Sequence, residues 1–384
     1  FTGLAIIFYT NPKPFEPREG DYAVVGSFYV FAMWIGFGVL ALYDQFKGKM
    51  NPKALALTIT GLSLLAVPTL MAKENWDDHD RSGRYSTRNN AKAYLDSCQE
   101  NAIMFTIGDN DTFPLWYMQE VEDYRTDIKL VNTSLFAKDW YIDQQKRKTY
   151  KAPPIPSQLS HDDYKEGSLD VAYHYPYPFP QFKDSIMDIQ SFMKWIQSKD
   201  MRTMVDFEEN GHPEKVYPTN KLRLMVDKDA VLKNGIVPMK DADLIVPYID
   251  ITIADVLTKN RILMLDVLAN NNWTRPLYFT GGAQAAEEYI WLKDYLQLDG
   301  LAYRFVPIKT PLEGANFMNM GRIDTETMYN NVQKWDWRNS NGDIYDGEFI
   351  HGKRHGIGNV KINDGQKEIT YLGEFKSNRF HGKG

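Results

Sequence analysis

The fold is decided by the stretch AIMFTIGDNDTFPLWY, residues 102–117. Its first part, 102–107, is apolar apart from one Thr and predicts a buried strand. The strand runs into the turn GDNDT, 108–112, where Thr112 is placed to cap a helix and Pro114 to lie in that helix's first turn. Carboxylates and helix N–H groups therefore meet at one strand end, an edge of the kind at which polar ligands bind.

The acidic turn has two interpretations. Asp109 and Asp111 offer hard oxygen ligands to a cation, or acceptors to the hydroxyls of a sugar. Alternatively, Asp109 and Thr112 only cap the helix and order the turn. An EF-hand is not supported, because the loop lacks the further acidic positions of that motif.

The apolar residues of the 384-residue chain are concentrated near its start. No charged residue occurs in 23–43 or in 54–72, and stretches of that length can cross about 30 Å of hydrocarbon. We therefore predict two transmembrane helices in a membrane region 1–72, with residues 1–9 as part of a further span. Buried core helices are the alternative, but they rarely run so long without a charge.

The predicted orientation follows from the loop between the two spans. It carries Lys47, Lys49 and Lys53 against Asp44, and this basic bias predicts a cytoplasmic loop. Residues 73–384 are then expected on the periplasmic side of a bacterial inner membrane.

Other function classes lack support in the sequence. The only cysteine, Cys98, excludes an internal disulfide framework. A formal net charge of −6 argues against nucleic acid as a partner. No Gly-x-Ser-x-Gly, His-Glu-x-x-His or Walker motif is present, so hydrolase and nucleotide-binding functions are not indicated.

The order of elements predicts an α/β domain over 73–334. A helix at 113–122 and a strand at 128–132 follow the first strand, and this β-α-β order favours a parallel pair. The Pro- and Tyr-rich segment 152–180 predicts an ordered excursion without long elements. The remaining predicted helices are 89–98, 186–196, 261–269 and 287–296, and the remaining predicted strands are 222–226, 244–246, 273–279 and 301–307.

The last segment, 335–384, is built from two repeats 26 residues apart. The sequence YDGEF at 345–349 is echoed by YLGEF at 371–375, and each is followed at the same offset by His-Gly-x-Gly. These motifs resemble MORN repeats, which implies a short tail of stacked two-stranded hairpins.

Two polar clusters flank the predicted spans. The first groups Glu16, Arg18, Glu19 and Asp21. Arg18 can bind the phosphate of a lipid carrier. Alternatively, Arg18 and the acidic residues form ion pairs with one another and with lipid headgroups. The second is a charged collar after the second span, which can bind a metal or act in acid–base chemistry, or can simply be a solvated charge run. Its titratable residues are Asp77, Asp78, His79 and Asp80.

Four motifs together resemble the family called domain of unknown function 2723, which is common in Bacteroidota. They are EPREGDY at 16–22, NWDDHDR at 75–81, GDNDTFPLWY at 108–117 and WTRPLYF at 273–279. That family is similar to a vertebrate transmembrane protein O-mannosyltransferase and, through it, to multi-span C-type glycosyltransferases. The implied fold is the end of such a membrane domain, followed by a soluble α/β domain and the hairpin tail.

The resemblance implies a sugar transferase that uses a polyprenyl-phosphate sugar, with mannose expected, and Ser or Thr of exported proteins as acceptors. The chain is then a fragment, inactive alone, whose catalytic base lies upstream. Glu16, Arg18, Glu19 and Asp21 would contact the lipid-linked donor, with a divalent cation as the one cofactor to consider. The collar and Asp109 and Asp111 are the secondary candidates. The alternative is a membrane-anchored binding or scaffold protein without catalytic activity.

Overall fold

A computed structural model gives two compact units, residues 1–83 and 84–384. The predicted boundaries at 72/73 and 334/335 stay predictions. The residues that the structure describes are 4–10, 24–79, 85–182, 184–207, 211, 213–281, 288–311, 320–333, 335, 344–350, 353–363, 368–376 and 379–381.

The first unit is helical. Its helices are α1 (Leu4–Thr10), α2 (Val25–Phe46), α3 (Pro52–Leu64) and α4 (Leu70–His79). Among the described residues, two stretches are long and apolar enough to cross a membrane, Val25–Phe46 and Pro52–Trp76. This supports the membrane association that the sequence predicts.

The second apolar stretch is continuous from α3 into α4 through a π-helical turn, Leu65–Thr69. Pro68 lies inside this turn and has no N–H to donate, and a local π turn is one way in which an apolar helix accommodates such a residue. At the other end, the side chain of Asn51 accepts the N–H of Lys53 at 3.0 Å and caps α3.

The second unit alternates helices and strands. Its helices are α5 (Ser86–Asp96), α6 (Gly108–Glu120), α7 (Asp139–Gln145), α8 (His161–Tyr164), α9 (Ile189–Gln197), α10 (Lys228–Lys233), α11 (Lys259–Asn271) and α12 (Thr325–Val332). Its strands are β1 (Ile103–Thr106), β2 (Lys129–Asn132), β3 (Val171–His174), β4 (Met187–Asp188), β5 (Met204–Val205), β6 (Glu214–Tyr217), β7 (Lys221–Met225), β8 (Tyr248–Thr252), β9 (Val256–Thr258), β10 (Leu277–Thr280), β11 (Leu296–Leu298), β12 (Ala302–Phe305), β13 (Arg322–Ile323), β14 (Ile344–Ile350), β15 (Lys353–Asn363), β16 (Glu368–Lys376) and β17 (Arg379–His381). Short 3₁₀ helices occupy Leu135–Ala137, Pro180–Phe182, Met201–Thr203, Met239–Leu244 and Ile290–Tyr295.

The largest sheet within the described ranges has six strands in the order β13-β11-β12-β10-β1-β2. β1 pairs in parallel with both β10 and β2, whereas β12 runs antiparallel to β10 and β11. Every residue of β1, β2 and β10 is buried, as parallel strands covered on both faces require. The predicted β-α-β unit is confirmed.

The smaller sheets of the described ranges have the orders β5-β6-β3-β9, β4-β7-β8 and β14-β15-β16-β17. The last of these is an antiparallel meander over 344–381. Both repeats of the sequence fall on it, the first on β14 and the second on β16. Their identity as MORN repeats stays a prediction.

Three of the predicted elements are wrong in detail. The predicted helix 287–296 is a 3₁₀ helix, Ile290–Tyr295, and β11 begins directly after it at Leu296. The acidic turn is not a loop before the helix, because α6 already begins at Gly108, Ile107 is its N-cap, and Thr112 is buried inside it. The predicted strand 244–246 is not a strand: Leu244 ends a 3₁₀ helix, and the strand of that region is β8. The apolar side chains there pack against the core without joining a ladder, which periodicity cannot distinguish.

Helix α11 lies in the centre of the core and packs against α9. Residues 262–269 are all buried, and Asp266 is among them with 0% exposure. Its Oδ1 accepts the Asn270 amide at 2.8 Å and the backbone N–H of Gln158 at 3.3 Å. Burial nevertheless raises the pKa of Asp266 to about 6.

This raised pKa predicts a pH-dependent stability. Native Asp266 keeps its proton up to about pH 6, whereas the unfolded chain loses it near pH 4, so raising the pH between these values favours unfolding. We expect Asp266→Asn, which carries no charge, to stabilise the protein by about 3 kcal/mol above pH 6 and to have little effect below pH 4. Thermal unfolding of both proteins from pH 4 to 8 measures the difference. The exposed Asp123→Asn is the control and should show no such divergence; an equal gap at all pH values would contradict the prediction.

Candidate functional site

The sheet reverses its direction of winding between β1 and β10. From β1 the chain passes through α6 to β2 on one side, and from β10 it continues to β11 and β12 on the other. Both strands point the same way, and the chain leaves their carboxyl ends toward opposite sides of the sheet, so a crevice is expected between the two departing segments. In open α/β sheets, ligands bind at such a switch point.

Gly108 sets the path of the chain at this point. Its φ is +68°, in the left-handed region that favours glycine, and a Cβ there would meet no atom within 4 Å. The requirement for glycine is therefore conformational rather than a matter of space. The turn places Asp109 and Asp111 in the first turn of α6, where acidic side chains complement the helix dipole.

A buried hydrogen-bond network fixes the edge. The Thr112 hydroxyl donates to the carbonyl of Gly108 at 2.8 Å and accepts the side-chain amide of Asn132 at 2.9 Å. Since the single Thr112 proton is used, the Thr106 hydroxyl, 2.6 Å away, donates to Thr112. The ends of β1 and β2 are thereby joined to the start of α6.

Asp111 faces the crevice from α6. Its Oδ2 accepts the hydroxyl of Thr280, the last residue of β10, at 3.0 Å. Burial raises the pKa of Asp111, and the Thr280 hydrogen bond acts in the opposite direction. The carboxylate therefore joins the first turn of α6 to the end of β10.

Tyr94 of α5 is the next polar group in the crevice. Burial raises the pKa of its phenol, and the charge of Asp111 adds to that effect. The Tyr94 hydroxyl oxygen lies 3.8 Å from where a Cβ on Gly281 would stand, directly after β10. The phenol stays protonated at neutral pH and is available as a hydrogen-bond donor.

Asp111 and Tyr94 line one groove, which we call the switch-point groove. It has a volume of about 650 Å³ and is bounded by α5 and the start of α6. Its lining includes Ser86, Thr87, Asn90, Tyr94, Asp109, Asp111 and Phe113. Hydroxyl, amide and carboxylate groups beside one aromatic ring suit a ligand that both donates and accepts hydrogen bonds.

A metal ion is not supported at this groove. Within the described ranges, no group of three or more His, Cys, Asp or Glu side chains is placed to hold one. Calcium takes six to eight oxygen ligands, and Asp109 and Asp111 supply only two of the side chains needed.

The other predicted site residues lie in the first unit. Residues 11–23, with Glu16, Arg18, Glu19 and Asp21, lie outside the described residues, as does Asp80. Asp77, Asp78 and His79 form the end of α4, and only their backbone is described. Of all predicted site residues, the structure brings together Asp109 and Asp111.

Sequence reasoning missed Tyr94 and Thr280. Thr280 directly follows the predicted strand 273–279. Parallel neighbours end at the same edge of a sheet, so Thr280 could have been predicted at this edge had the pairing of β10 with β1 been known. Tyr94 carries no such signal, because its position depends on how α5 packs against α6.

The fold and the groove define a class of protein: an α/β domain with a polar crevice at its switch point, carried on a chain with two apolar helices. A family model described as TMEM260-associated domain 2 matches residues 87–327. The chain belongs to this family. No curated protein and no solved structure matches it. The match runs from α5 into α12, and it supports the predicted relationship to O-mannosyltransferase-like proteins.

The hydrogen bond between Thr280 and Asp111 can be tested without knowing what the protein does. Thr280→Val removes the hydroxyl that favours the ionised carboxylate, so the pKa of Asp111 should rise further. A ¹³C NMR titration of labelled Asp carboxyls measures it. Thr133→Val is the control, because the Thr133 hydroxyl donates to the Thr106 carbonyl. An unchanged or lower Asp111 pKa in Thr280→Val, or an equal rise in the control, would refute the contact.

Proposed function

We propose that this chain is the outer, acceptor-binding part of a membrane glycosyltransferase. The enzyme would transfer a sugar, with mannose expected, from a polyprenyl-phosphate carrier to Ser or Thr of exported proteins. The observation that carries the proposal is the match of residues 87–327 to the TMEM260-associated domain. The two apolar helices support a chain that works at a membrane.

The acceptor would bind in the switch-point groove. A Ser or Thr hydroxyl needs a hydrogen-bond acceptor and an adjacent donor, and Asp111 and Tyr94 supply these groups from α6 and α5. Thr280 holds Asp111 through Oδ2, and because each carboxylate oxygen can accept more than one hydrogen bond, the carboxylate can also accept the substrate hydroxyl. These residues would position the acceptor chain, and neither is assigned as the catalytic base.

The donor would be held by the membrane region. Glu16, Arg18, Glu19 and Asp21 are the proposed contacts, with Arg18 offsetting the charge of the carrier phosphate. The acceptor oxygen forms a bond to the anomeric carbon as that carbon's bond to the phosphate oxygen breaks. The hydroxyl proton passes to a carboxylate base upstream, and polyprenyl phosphate leaves. In this proposal, residues 73–384 lie on the periplasmic side of a bacterial inner membrane.

The β14–β17 sheet favours a second function, a scaffold that binds partner proteins. Ile357 and Leu372 on this sheet are each 67% exposed. Exposed apolar side chains on a meander can serve as a partner surface. A scaffold requires no chemistry, so a transfer assay separates the two functions.

The test is transfer of labelled mannose from its polyprenyl-phosphate carrier to an acceptor peptide by the full-length protein in membranes. Asp111→Asn should raise the KM for the peptide about tenfold, the loss expected for one hydrogen bond to a charged group, with little change in kcat. Arg18→Ala should instead reduce transfer at low donor concentration.

Asp229→Asn is the matched control, because Asp229 lies in the first turn of α10 as Asp111 does in α6 and is exposed. It should leave transfer unchanged. An unchanged KM for the peptide in Asp111→Asn would contradict the proposal that the switch-point groove binds the acceptor. Absence of transfer by the full-length wild-type protein would favour the scaffold.

A further inference from the structure

A second cavity, which we call the aromatic cleft, lies beside the edge strand β2. It has a volume of about 390 Å³, within the range of pockets that take small ligands. Its aromatic lining is Trp116 of α6, Trp140 and Tyr141 of α7, and Tyr150. Trp140 and Tyr150 are 57% and 53% exposed, so aromatic surface is accessible to a ligand at the cleft.

The polar lining of the cleft has unused hydrogen-bonding capacity. Gln145 is 94% buried, since only 6% of its surface is exposed, and its Oε1 has no partner among the described residues. A buried amide without partners is costly unless a ligand or water satisfies it. Glu120 accepts the Tyr150 hydroxyl through Oε2, which leaves its second oxygen available at the cleft.

Lys129 adds a buried cation to the same cleft. Its ammonium donates to the carbonyl of Arg147 at 2.8 Å and to the Thr149 hydroxyl at 2.9 Å. Two of its three donors are thereby used, and both acceptors are neutral. Burial, with a smaller contribution from Arg275, lowers the pKa of Lys129 to about 8, so it stays mostly charged at neutral pH.

The aromatic, amide, carboxylate and ammonium groups that line the cleft together disfavour several classes of ligand. A purely apolar ligand would leave Gln145 Oε1 and the third donor of Lys129 unsatisfied. A polyanion is disfavoured by Glu120 at the cleft and by the net charge of −6. What fits is a small ring with a C–H face to lie against an aromatic face and hydroxyls around its rim that both donate and accept.

We propose that the aromatic cleft is a binding site for a pyranose sugar. The ring would lie against Trp140, with its hydroxyls bonded to Gln145, Glu120 and the third donor of Lys129. Such a site would hold a glycan already present on a ligand protein or cell-surface polymer. It does not depend on the proposed function, because a scaffold could use the same sugar site.

The test is saturation-transfer NMR on the full chain in lipid nanodiscs, which avoid glycoside detergents. The probes are methyl α-mannopyranoside, methyl β-glucopyranoside and N-acetylglucosamine, with acyclic sorbitol as the polyol control. We expect at least one pyranoside to bind and sorbitol not to bind. Trp140→Ala should raise the Kd about tenfold or more, since aromatic anchors dominate such sites. Gln145→Leu, which keeps the side-chain volume, should also weaken binding.

Tyr177→Ala is the matched control, because Tyr177 is 81% exposed and is not part of the cleft. It should bind like the wild type. Trp140 is exposed, so its replacement leaves the core intact, and circular dichroism verifies the fold. The proposal is overturned if all three pyranosides bind more weakly than about 10 mM, if sorbitol binds equally, or if Trp140→Ala binds like the control. The switch-point groove variant Asp111→Asn should retain sugar binding, which separates the two proposals.

Discussion

The parallel pairing of β1 with both of its neighbours is the constraint on which the rest of the second unit depends. A strand buried on both faces must be apolar along its length, and its polar groups must stand at its ends. Phe105 of β1 accordingly stacks on Phe279 of β10, with ring centroids 5.2 Å apart. The polar residues follow at the carboxyl edge, where Thr106, Thr112 and Asn132 bond to one another.

Two half-buried arginines hold the amino end of β1 and the end of α5 that precedes it. Arg275 donates to the carbonyls of Asn101 at 2.7 Å and Ala102 at 3.3 Å, directly before the strand. Arg125 donates to the carbonyls of Leu95 and Cys98 around the end of α5, where a cation also complements the helix dipole. Burial lowers the pKa of Arg275 to about 10, which still leaves it charged at neutral pH. Hydrogen bonds therefore hold the chain at both ends of β1, next to α5 and α6, which bound the switch-point groove.

The sequence predicts local elements well and their assembly less well. Periodicity and apolar runs predict β1, β2, α11 and β10, because those signals depend on the chain's own burial pattern. They cannot show that β10 pairs with β1, since the two strands are separated by about 170 residues and by several smaller sheets. The Asp111–Thr280 contact depends on that pairing and was therefore not predictable. The prediction that Thr112 caps the helix was wrong. Thr is a common N-cap residue, but here the Thr112 hydroxyl donates to the Gly108 carbonyl four residues earlier in the same helix.

Helix α6 separates the two cavities and contributes to both. Its first turn presents Asp109 and Asp111 to the switch-point groove, and its last turns present Trp116 and Glu120 to the aromatic cleft. The helix is anchored near each end: Thr112 bonds to Asn132, and the buried Gln119 amide donates to the carbonyls of Arg125 and Ile128 at 2.8 and 2.9 Å. A ligand in either cavity therefore meets a fixed helix, and shifting α6 would break buried hydrogen bonds at both ends. Exposed residues such as Trp140 can then be replaced in one cavity without moving the groups that line the other.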